Sequence, residues 1–267
     1  MPEPTGPDGD DRPGSRFADG LRLSATTFTT LPLRPGRVDR GTAGTAMAAA
    51  PVVGALLGAV LAGVLLALTA VVSPLVAAGV TLGCAALLTR GLHLDGLADT
   101  VDALGSYRRG PAALTVMRQP DVGPFGVVAL VVVLLVQAAS LAELAGRSTT
   151  AVLAGVVVAT AAGRLGVTVA CRRGIPAART EGLGALVAGT VGPVALTVGT
   201  LAVGAVALLA VPGRPWQGPL AVAAALAVVV LLLRHAVRRF GGVTGDVLGA
   251  TVEVTTTLVY LGLLLSG

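Results

Sequence analysis

The sequence has 267 residues, of which 54% are hydrophobic and only 12% charged, and its mean hydropathy is +0.85. Soluble domains carry about a quarter charged residues, so the composition argues against an ordinary soluble domain. A soluble protein built from fully buried helices is the alternative. Apolar runs of about 20 residues recur along the chain, however, and a membrane-spanning helix needs that length. The composition therefore predicts a membrane protein.

The formal net charge is +5, and all 19 basic residues are arginine. These arginines lie in short clusters between apolar runs, as the loops of membrane proteins do. A nucleic-acid surface is therefore not expected. The two cysteines (Cys84, Cys171) and two histidines (His93, His235) are too far apart in sequence for a zinc cage, and we expect no disulfide.

The N-terminal region differs from the rest of the chain. Residues 1–20 are rich in Pro, Gly and Asp and are predicted to be a disordered tail without a signal peptide. Residues 21–42 are amphipathic and Arg-rich, so they are predicted to lie at the membrane surface. Residues 43–267 then form a transmembrane catalytic domain.

Seven membrane spans are predicted in that domain, which makes the fold class an all-α polytopic bundle. Their boundaries are roughly 45–71, 73–89, 123–146, 148–171, 184–211, 217–233 and 243–266. Gly54 and Gly58 are spaced for close helix contact. A cytoplasmic N-terminus places sixteen arginines inside and only Arg147 and Arg214 outside, with Arg164 left within a span. The acidic residues with chemical interest then collect at the inner surface.

The richest stretch reads RGLHLDGLADTVD, from Arg90 to Asp102. On a helix, Asp95, Asp99 and Asp102 stand at i, i+4 and i+7 and share one face. Three stacked carboxylates repel one another unless a divalent cation lies between them, and Mg²⁺ prefers such hard oxygen ligands. The alternative is a solvated acidic face without metal. His93 is either a general base, a phosphate contact or an inconsequential surface residue.

Two further segments bring arginines to the inner surface. Arg118 and Asp121 flank Pro120 before a Gly-Pro-Phe-Gly turn, and a guanidinium there would grip a phosphate or serve only as a membrane anchor. Residues 171–184 carry a second cationic cluster beside a flexible EGLG sequence: Arg172, Arg173, Arg179 and Glu181. Arg164 is costly inside a span unless it is paired, and Glu253 is its natural partner by charge.

The last of these segments, RRFGGVTGDVLGATVE, covers residues 238–253. Its glycines surround Thr244 and Asp246, and a Gly-rich turn that opens a helix is suited to hold a phosphate. Asp246 would then bridge to that phosphate through a metal. The alternative is that the glycines only allow close helix packing.

Together these segments resemble the cobalamin synthase family, also called adenosylcobinamide-GDP ribazoletransferase. The motifs that carry the resemblance are GLHLDGLADTVDALGS (91–106), MRQPDVGPFGVVAL (117–130), ARTEGLG (178–184) and GGVTGDVLGATVE (241–253). They occur in the family's order, and the similarity extends from about Leu21 to the C-terminus. Ala103 replaces a glycine found in many members, but no acidic residue is lost.

The resemblance implies that adenosylcobinamide-GDP is joined to α-ribazole or its 5′-phosphate, giving adenosylcobalamin or its 5′-phosphate and GMP, with Mg²⁺ as cofactor. We expect catalysis and metal binding by Asp95, Asp99, Asp102 and Asp246, with His93 or a free carboxylate as proton acceptor. The residues expected to bind substrate are Arg90, Arg118, Asp121, Arg164, Arg172, Arg173, Arg179, Glu181, Gly241, Gly242, Thr244, Gly245 and Glu253. The site is expected to face the cytoplasm from the plasma (inner) membrane, in contact with lipid. Whether the chain forms a homo-oligomer stays open.

Two other functions agree with parts of the sequence. A CDP-alcohol phosphatidyltransferase also uses clustered aspartates on membrane helices, but DGLADTVD lacks the arginine of that family's pattern. A secondary transporter places ionisable groups near the bilayer midplane and often has inverted repeats. Here only Arg164 and Glu253 fit that description, and no repeat is visible.

Overall fold

The computed structural model of the protein describes residues 13–34 and 36–265. These residues form helices and no named strand, and two isolated bridges join loops. In chain order the helices are α1 (Pro13–Phe28), α2 (Arg40–Thr69), α3 (Pro74–Leu88), α4 (Leu92–Gly105), α5 (Pro111–Val116), α6 (Pro124–Leu144), α7 (Thr149–Ala170), α8 (Leu183–Val187), α9 (Pro193–Ala207), α10 (Gln217–Phe240) and α11 (Gly245–Leu264).

Five of these helices are long and apolar enough to cross a membrane: α2, α6, α7, α10 and α11. Helices α3 and α4 pass the same test only as a pair, bent by 89° at the break between them. Helix α9 is apolar but has 15 residues, about 22 Å at ~1.5 Å per residue, against a hydrocarbon core of about 30 Å. The all-α multi-pass fold is confirmed. The count of seven spans and the cytoplasmic N-terminus stay predictions.

Helix α7 is the centre of the bundle, and most of its residues are buried. Helices α2 and α11 approach it closely because small residues line both contacts. A Cβ atom at Gly54 of α2 would lie 2.6 Å from the carbonyl oxygen of Thr160, and one at Gly166 of α7 would lie 2.7 Å from Oγ1 of Thr255. A Cβ at Gly58 would also collide with Thr160. The close contact predicted for Gly54 and Gly58 is confirmed.

The predicted fifth span, 184–211, was wrong as one continuous helix. It is divided into α8 and α9, with Gly189 between them at a φ of +72°. Pro193 begins α9, since a proline is suited to the first helical position. The intervening chain turns back to the end of α7, where the N–H of Arg173 donates to the carbonyl of Val191 at 3.0 Å. These bonds offset the loss of helical ones.

The N-terminal boundary also differs from the prediction. Residues 1–12 of the predicted disordered tail lie outside the described residues, whereas residues 13–20 belong to α1. Helix α1 packs on α2 at Gly20, where a Cβ atom would lie 2.6 Å from Cβ of Thr45. This contact holds a segment whose composition alone favours disorder.

A sharp turn joins α3 to α4 and sets the direction of α4. Arg90 and Gly91 are both left-handed, with φ of 58° and 65°. The side chain of Arg90 donates from Nη2 to the carbonyl of Thr26 at 3.0 Å, which ties the turn to the end of α1. Helix α4 therefore lies across α3 instead of continuing it through the membrane.

Replacing Gly91 with Ala should destabilise the protein by about 1 kcal/mol, because a side chain in the left-handed region is strained. A Cβ atom at Gly91 would meet nothing within 4 Å, so this variant isolates backbone strain from packing. Thermal unfolding in one detergent measures the change. Gly83→Ala is the control, since Gly83 also has open space but lies inside α3. Equal melting temperatures for the two variants would contradict the prediction.

Candidate active site

Helices α4 and α11 cross so closely that acidic residues about 150 positions apart in sequence become neighbours. At the crossing, a Cβ atom at Gly96 would lie 2.7 Å from the carbonyl oxygen of Asp246. A Cβ atom at Gly249 would lie 3.2 Å from Cα of His93. Because both glycines lack a side chain, Asp95 and Asp99 on α4 stand beside Asp246 in the first turn of α11. We call these three residues the carboxylate site.

Asp99, on the short helix α4, has a strongly raised pKa. It is half-buried on α4, and burial raises its pKa to about 7, with the negative charges of Asp95, Asp246 and Asp102 adding to the effect. Arg179 acts in the opposite direction. Crowding by other carboxylates disfavours the charged form unless the group is protonated or positive charge lies beside it, so this arrangement is compatible with a bound cation.

Asp246 is held in place by its own helix terminus and by one arginine. Thr244 caps α11, since its Oγ1 accepts from the N–H of Val247 at 3.2 Å, and the same hydroxyl donates to Oδ2 of Asp246 at 3.1 Å. Nη1 of Arg179 lies 3.8 Å from that oxygen. Both side chains of this ion pair are largely buried, so it is less screened by water than a surface pair.

Arg179 also connects the carboxylate site to α5. Its Nη2 donates to the carbonyl of Leu114 at 3.0 Å, while its Nε has no hydrogen-bond partner among the described residues. Its loop is joined to the start of α11 by backbone bonds, including the N–H of Ala178 to the carbonyl of Val243 at 3.0 Å. Arg179 is therefore the arginine of the predicted cluster that reaches the carboxylates.

Asp102 has a structural role that the spacing of the aspartates did not predict. Its Oδ2 accepts from the N–H of Gly123 at 2.8 Å and its Oδ1 from the N–H of Gly126 at 2.9 Å. These are the N-cap and N3 amides of α6, the pair that a capping box satisfies within one helix. Neither glycine has a side chain to do so. The structure thus assigns Asp102 to capping α6, and we leave it out of the metal set predicted from sequence.

Because Asp102 caps α6, two mutations at this contact should have coupled effects on stability. Asp102→Ala should cost about 1–2 kcal/mol of stability, the usual range for a lost N-cap. Gly126→Ala should also destabilise, because its Cβ would collide with the Asp102 carboxylate. In the double variant the collision with the carboxylate is gone, although the tight contact with the carbonyl oxygen of Ala98 at 3.0 Å remains. The loss of stability in the double variant should therefore be smaller than the sum of the two single losses. Thermal unfolding of the three variants measures this, and strictly additive losses would contradict the cap.

His93 does not join the carboxylates. Its ring is buried, stacked on Phe28 with centroids 5.9 Å apart, and its Nε2 has no partner among the described residues. Burial lowers the pKa of His93 well below its usual range, and the charge of Arg164 lowers it further. The ring is therefore neutral and points into the protein interior, which does not fit the predicted contact with substrate.

His93 instead lines a polar cavity inside the bundle, together with Arg164, Gln137 and Glu253. The cavity is about 50 Å³, more than the ~10–15 Å³ that a single water molecule needs. Nε2 of Gln137 donates to Oε2 of Glu253 at 2.9 Å. Arg164 and Glu253 face the same cavity, but no ion pair within 4.0 Å joins them among the described residues. The two predicted partners therefore interact through their charges across the cavity, without a direct contact.

The other arginines predicted to bind substrate are distributed over the surface. Arg172 donates from Nη1 to the carbonyl of Val169 at 2.9 Å, at the end of its own helix. Arg90 is bonded to α1, as described above. Arg173 lies in a separate pocket with Arg40. None of these three contacts the carboxylate site, so the predicted cationic cluster is split.

Three exposed predicted residues occupy loops between helices: Arg118, Asp121 and Glu181. Arg118 follows Met117, whose sulfur lies 3.8 Å from Oγ1 of Thr244 and therefore beside the start of α11. The side chains of Asp121 and Glu181 make no hydrogen bond or ion pair with the described residues. Their predicted part in substrate binding is untested.

The glycine-rich turn serves packing and helix termination. Gly241 ends α10 in the left-handed conformation, with φ of 87°, which favours glycine. Gly242 lies against the backbone of Ala177, where a Cβ atom would collide. Gly245 has only ordinary contact with Leu183, at 3.7 Å. The predicted phosphate cradle is therefore limited to the surroundings of Gly245 and Asp246.

Comparisons with known proteins agree with the motifs. Residues 20–264 match a family model described as cobalamin-5-phosphate synthase (CobS). The chain belongs to this family. The proteins named adenosylcobinamide-GDP ribazoletransferase from Frankia casuarinae and from Nocardioides sp. are each 43% identical to it, covering 90% and 91% of this chain and 92% and 97% of their own. The one from Corynebacterium efficiens is 36% identical over 94% of this chain and 92% of its own.

No solved structure matches the chain. The resemblance predicted from the four motifs is confirmed by the family match, which includes all of them. The CDP-alcohol phosphatidyltransferase and transporter alternatives gain no support from these comparisons.

The residues of this synthase fit a divalent cation in part. Among the described residues no three His, Cys, Asp or Glu side chains lie close enough to share one ion. Mg²⁺ takes only one or two carboxylates and completes its shell with water and substrate phosphate oxygens. Burial and the neighbouring carboxylates raise the pKa of Asp99. The hard oxygens of Asp95, Asp99 and Asp246 can supply the one or two carboxylate ligands that Mg²⁺ takes.

Gln137 is a buried polar residue that was not predicted from the sequence. It lies in the middle of the apolar helix α6 and donates to both Glu253 and Oγ1 of Thr257, each at 2.9 Å. An isolated amide within an apolar span was the available signal, because buried polar groups in membranes are expected to be paired.

Proposed function

We propose that this chain joins adenosylcobinamide-GDP to α-ribazole or its 5′-phosphate at the carboxylate site. As a member of the synthase family, it is a transferase of the last steps of cobalamin biosynthesis. The single observation that carries the site assignment is the crossing at Gly96 and Asp246, since it brings carboxylates from two family motifs together. Arg179, from a third motif, pairs with one of them.

One or two carboxylates among Asp95, Asp99 and Asp246 would hold Mg²⁺, with water and substrate oxygens as the remaining ligands. A bound ion would supply positive charge that neutralises the diphosphate, as in other phosphoryl-transfer sites. Asp102 caps α6 and is not assigned to the ion. The raised pKa of Asp99 and the half-buried positions of Asp99 and Asp246 support the assignment, while Asp95 beside them is exposed.

In the proposed reaction a hydroxyl of ribazole attacks the phosphorus attached to cobinamide. A new P–O bond forms, the bond from that phosphorus to GMP breaks, and GMP leaves with the electron pair. The hydroxyl proton passes to a carboxylate of the site. His93 is not assigned this step, because its ring is stacked on Phe28 inside the protein. Arg179 orients Asp246 and stabilises charge on the departing phosphate.

The carboxylate site is proposed to face the cytoplasm from the plasma membrane. Arg90 and Arg108 flank α4, which carries Asp95, and Arg172 and Arg173 precede Arg179 in its loop. Arg147 and Arg214 follow α6 and α9, at the other ends of those helices. The positive-inside rule favours this orientation. A reporter fused to the C-terminus, which this topology places outside, tests it.

Purified protein in lipid, supplied with adenosylcobinamide-GDP and α-ribazole or its 5′-phosphate, should release GMP and form the joined corrinoid. Release should depend on Mg²⁺ and stop with chelator. Full activity in chelator would reject the metal assignment alone. Absence of any joined corrinoid with Mg²⁺ and both ribazole forms present would reject the proposed reaction.

A further inference from the structure

A second site lies among α1, α2, α7 and α9, separate from the helices that carry the carboxylates. It includes an apolar groove of about 450 Å³, within the range of ~300–1,000 Å³ typical of ligand pockets. Phe17 and Leu21 of α1 form one wall, and Val198 and Val206 of α9 form the other. Thr45 has the one polar side chain that lines this groove.

A polar pocket of about 490 Å³ adjoins the groove. The two share Thr45, Ala48 and Ala195, so they lie side by side, and we refer to them together as one cavity with an apolar and a polar part. Arg40 and Arg173 line the polar part, and none of the described acidic side chains does. Most of its remaining lining is glycine or threonine, which leaves backbone and hydroxyl groups accessible.

The two arginines are held differently. Arg40 is fixed in the wall, because its Nη2 donates to the carbonyl of Ala188 at 2.7 Å and its Nη1 to Ala185. Arg173 is exposed, and its side chain has no hydrogen bond or ion pair with the described residues. Its guanidinium carbon lies 3.8 Å from the place a Cβ atom of Gly192 would take, above the start of α9, which no side chain caps.

We propose that this cavity binds one anionic phospholipid, with its phosphate beside Arg173 and Arg40 and an acyl chain in the apolar groove. Charge complementarity decides the occupant, because the cationic end suits a phosphate and the groove suits a hydrocarbon chain. A free phosphate would leave the groove unused. A second copy of the chain would have to cover the cationic end as well.

Native mass spectrometry of protein released from nanodiscs tests the proposal without either substrate. The nanodiscs contain equal amounts of phosphatidylglycerol and phosphatidylcholine. Wild type should retain one phosphatidylglycerol in preference to phosphatidylcholine. Arg173→Gln should lower that preference about tenfold, the scale of one lost charge-assisted hydrogen bond. Arg238→Gln, at an exposed arginine outside the cavity, should leave it unchanged.

A second variant tests the groove without altering charge. Ala202 is exposed and lines the apolar groove, so Ala202→Trp fills it at little risk to folding and should reduce retention of both lipids. Equal retention of the two lipids by wild type, or an equal loss in Arg238→Gln, overturns the proposal. So does binding of inorganic phosphate that Arg173→Gln abolishes while lipid retention is unaffected. Because no substrate is present, these results are independent of the proposed transferase reaction.

Discussion

Replacing Asp99 with Asn should lower the rate of GMP release by about 100- to 1,000-fold, the usual cost of losing one electrostatic contact in a transition state. Asp99 lies close enough to Asp95 and Asp246 for their charges to raise its pKa, and its carboxylate is proposed to share in holding the cation that neutralises the diphosphate. Asp95→Asn and Asp246→Asn should have losses of the same order. Initial rates of GMP release at saturating Mg²⁺ measure all three.

The loss of activity in Asp99→Asn should come without loss of stability. The folded-state pKa of Asp99 is raised from 3.8 to about 7, so its ionisation destabilises the folded protein increasingly from pH 4 to pH 7 and fully above pH 7. Asparagine removes that penalty. In chelator, the melting temperature of the variant should therefore be equal to or above that of wild type at pH 8, and the difference should vanish towards pH 4.

Glu143→Gln is the matched control for these variants. It removes a carboxylate near the end of α6, distant along that helix from Gly123 and Gly126, and should leave GMP release unchanged. Rates like those of wild type in all three aspartate variants would reject the assignment of the carboxylate site. A fall in melting temperature at pH 8 for Asp99→Asn would instead show that the carboxylate serves folding.

Gly96→Val should abolish activity by separating α4 from α11. The Cβ atom would lie 2.7 Å from the carbonyl oxygen and 3.0 Å from Cα of Asp246, and both are backbone atoms that cannot rotate away. Overpacking of this kind costs about 1–3 kcal/mol, and any shift that relieves it moves Asp95 and Asp99 away from Asp246. Thermal unfolding and GMP release measure the two effects.

Gly79→Ala provides the comparison for this variant. Gly79 is also a helical glycine, but a Cβ atom there would meet nothing within 4 Å. It should retain full activity and gain slightly in stability, by about 0.5–1 kcal/mol, because alanine favours helix more than glycine does. Activity in Gly96→Val equal to that in Gly79→Ala would mean that the helix crossing does not organise the site.

The helical membrane fold was predictable because composition and apolar runs decide it locally. Six of the seven predicted spans coincide with observed helices to within a few residues, except that α10 continues to Phe240. The fifth failed because hydropathy does not register a left-handed glycine such as Gly189 or the backbone bonds that replace helical ones. The turn at Arg90 was missed for the same reason.

The residues that form the site could be predicted from the sequence, but the function of each residue could not. Periodicity correctly placed Asp95, Asp99 and Asp102 along one helix. It could not tell that Asp102 faces the amides of Gly123 and Gly126, since an N-cap supplied by another helix leaves no local pattern. It also could not separate Arg179 from Arg173, which are six residues apart and occupy different sites.

The sequence alone determined that the protein lies in a membrane, that it is helical, which family it belongs to and which acidic residues are candidates for the site. Each of these follows from residue type and short-range spacing. The tertiary structure decided which of those acids meet and what each does. That decision depends on close approaches at residues such as Gly96 and Gly249, where the distance between two helices is set by the absence of a side chain. Contacts of this kind join segments about 150 residues apart, so no local pattern encodes them.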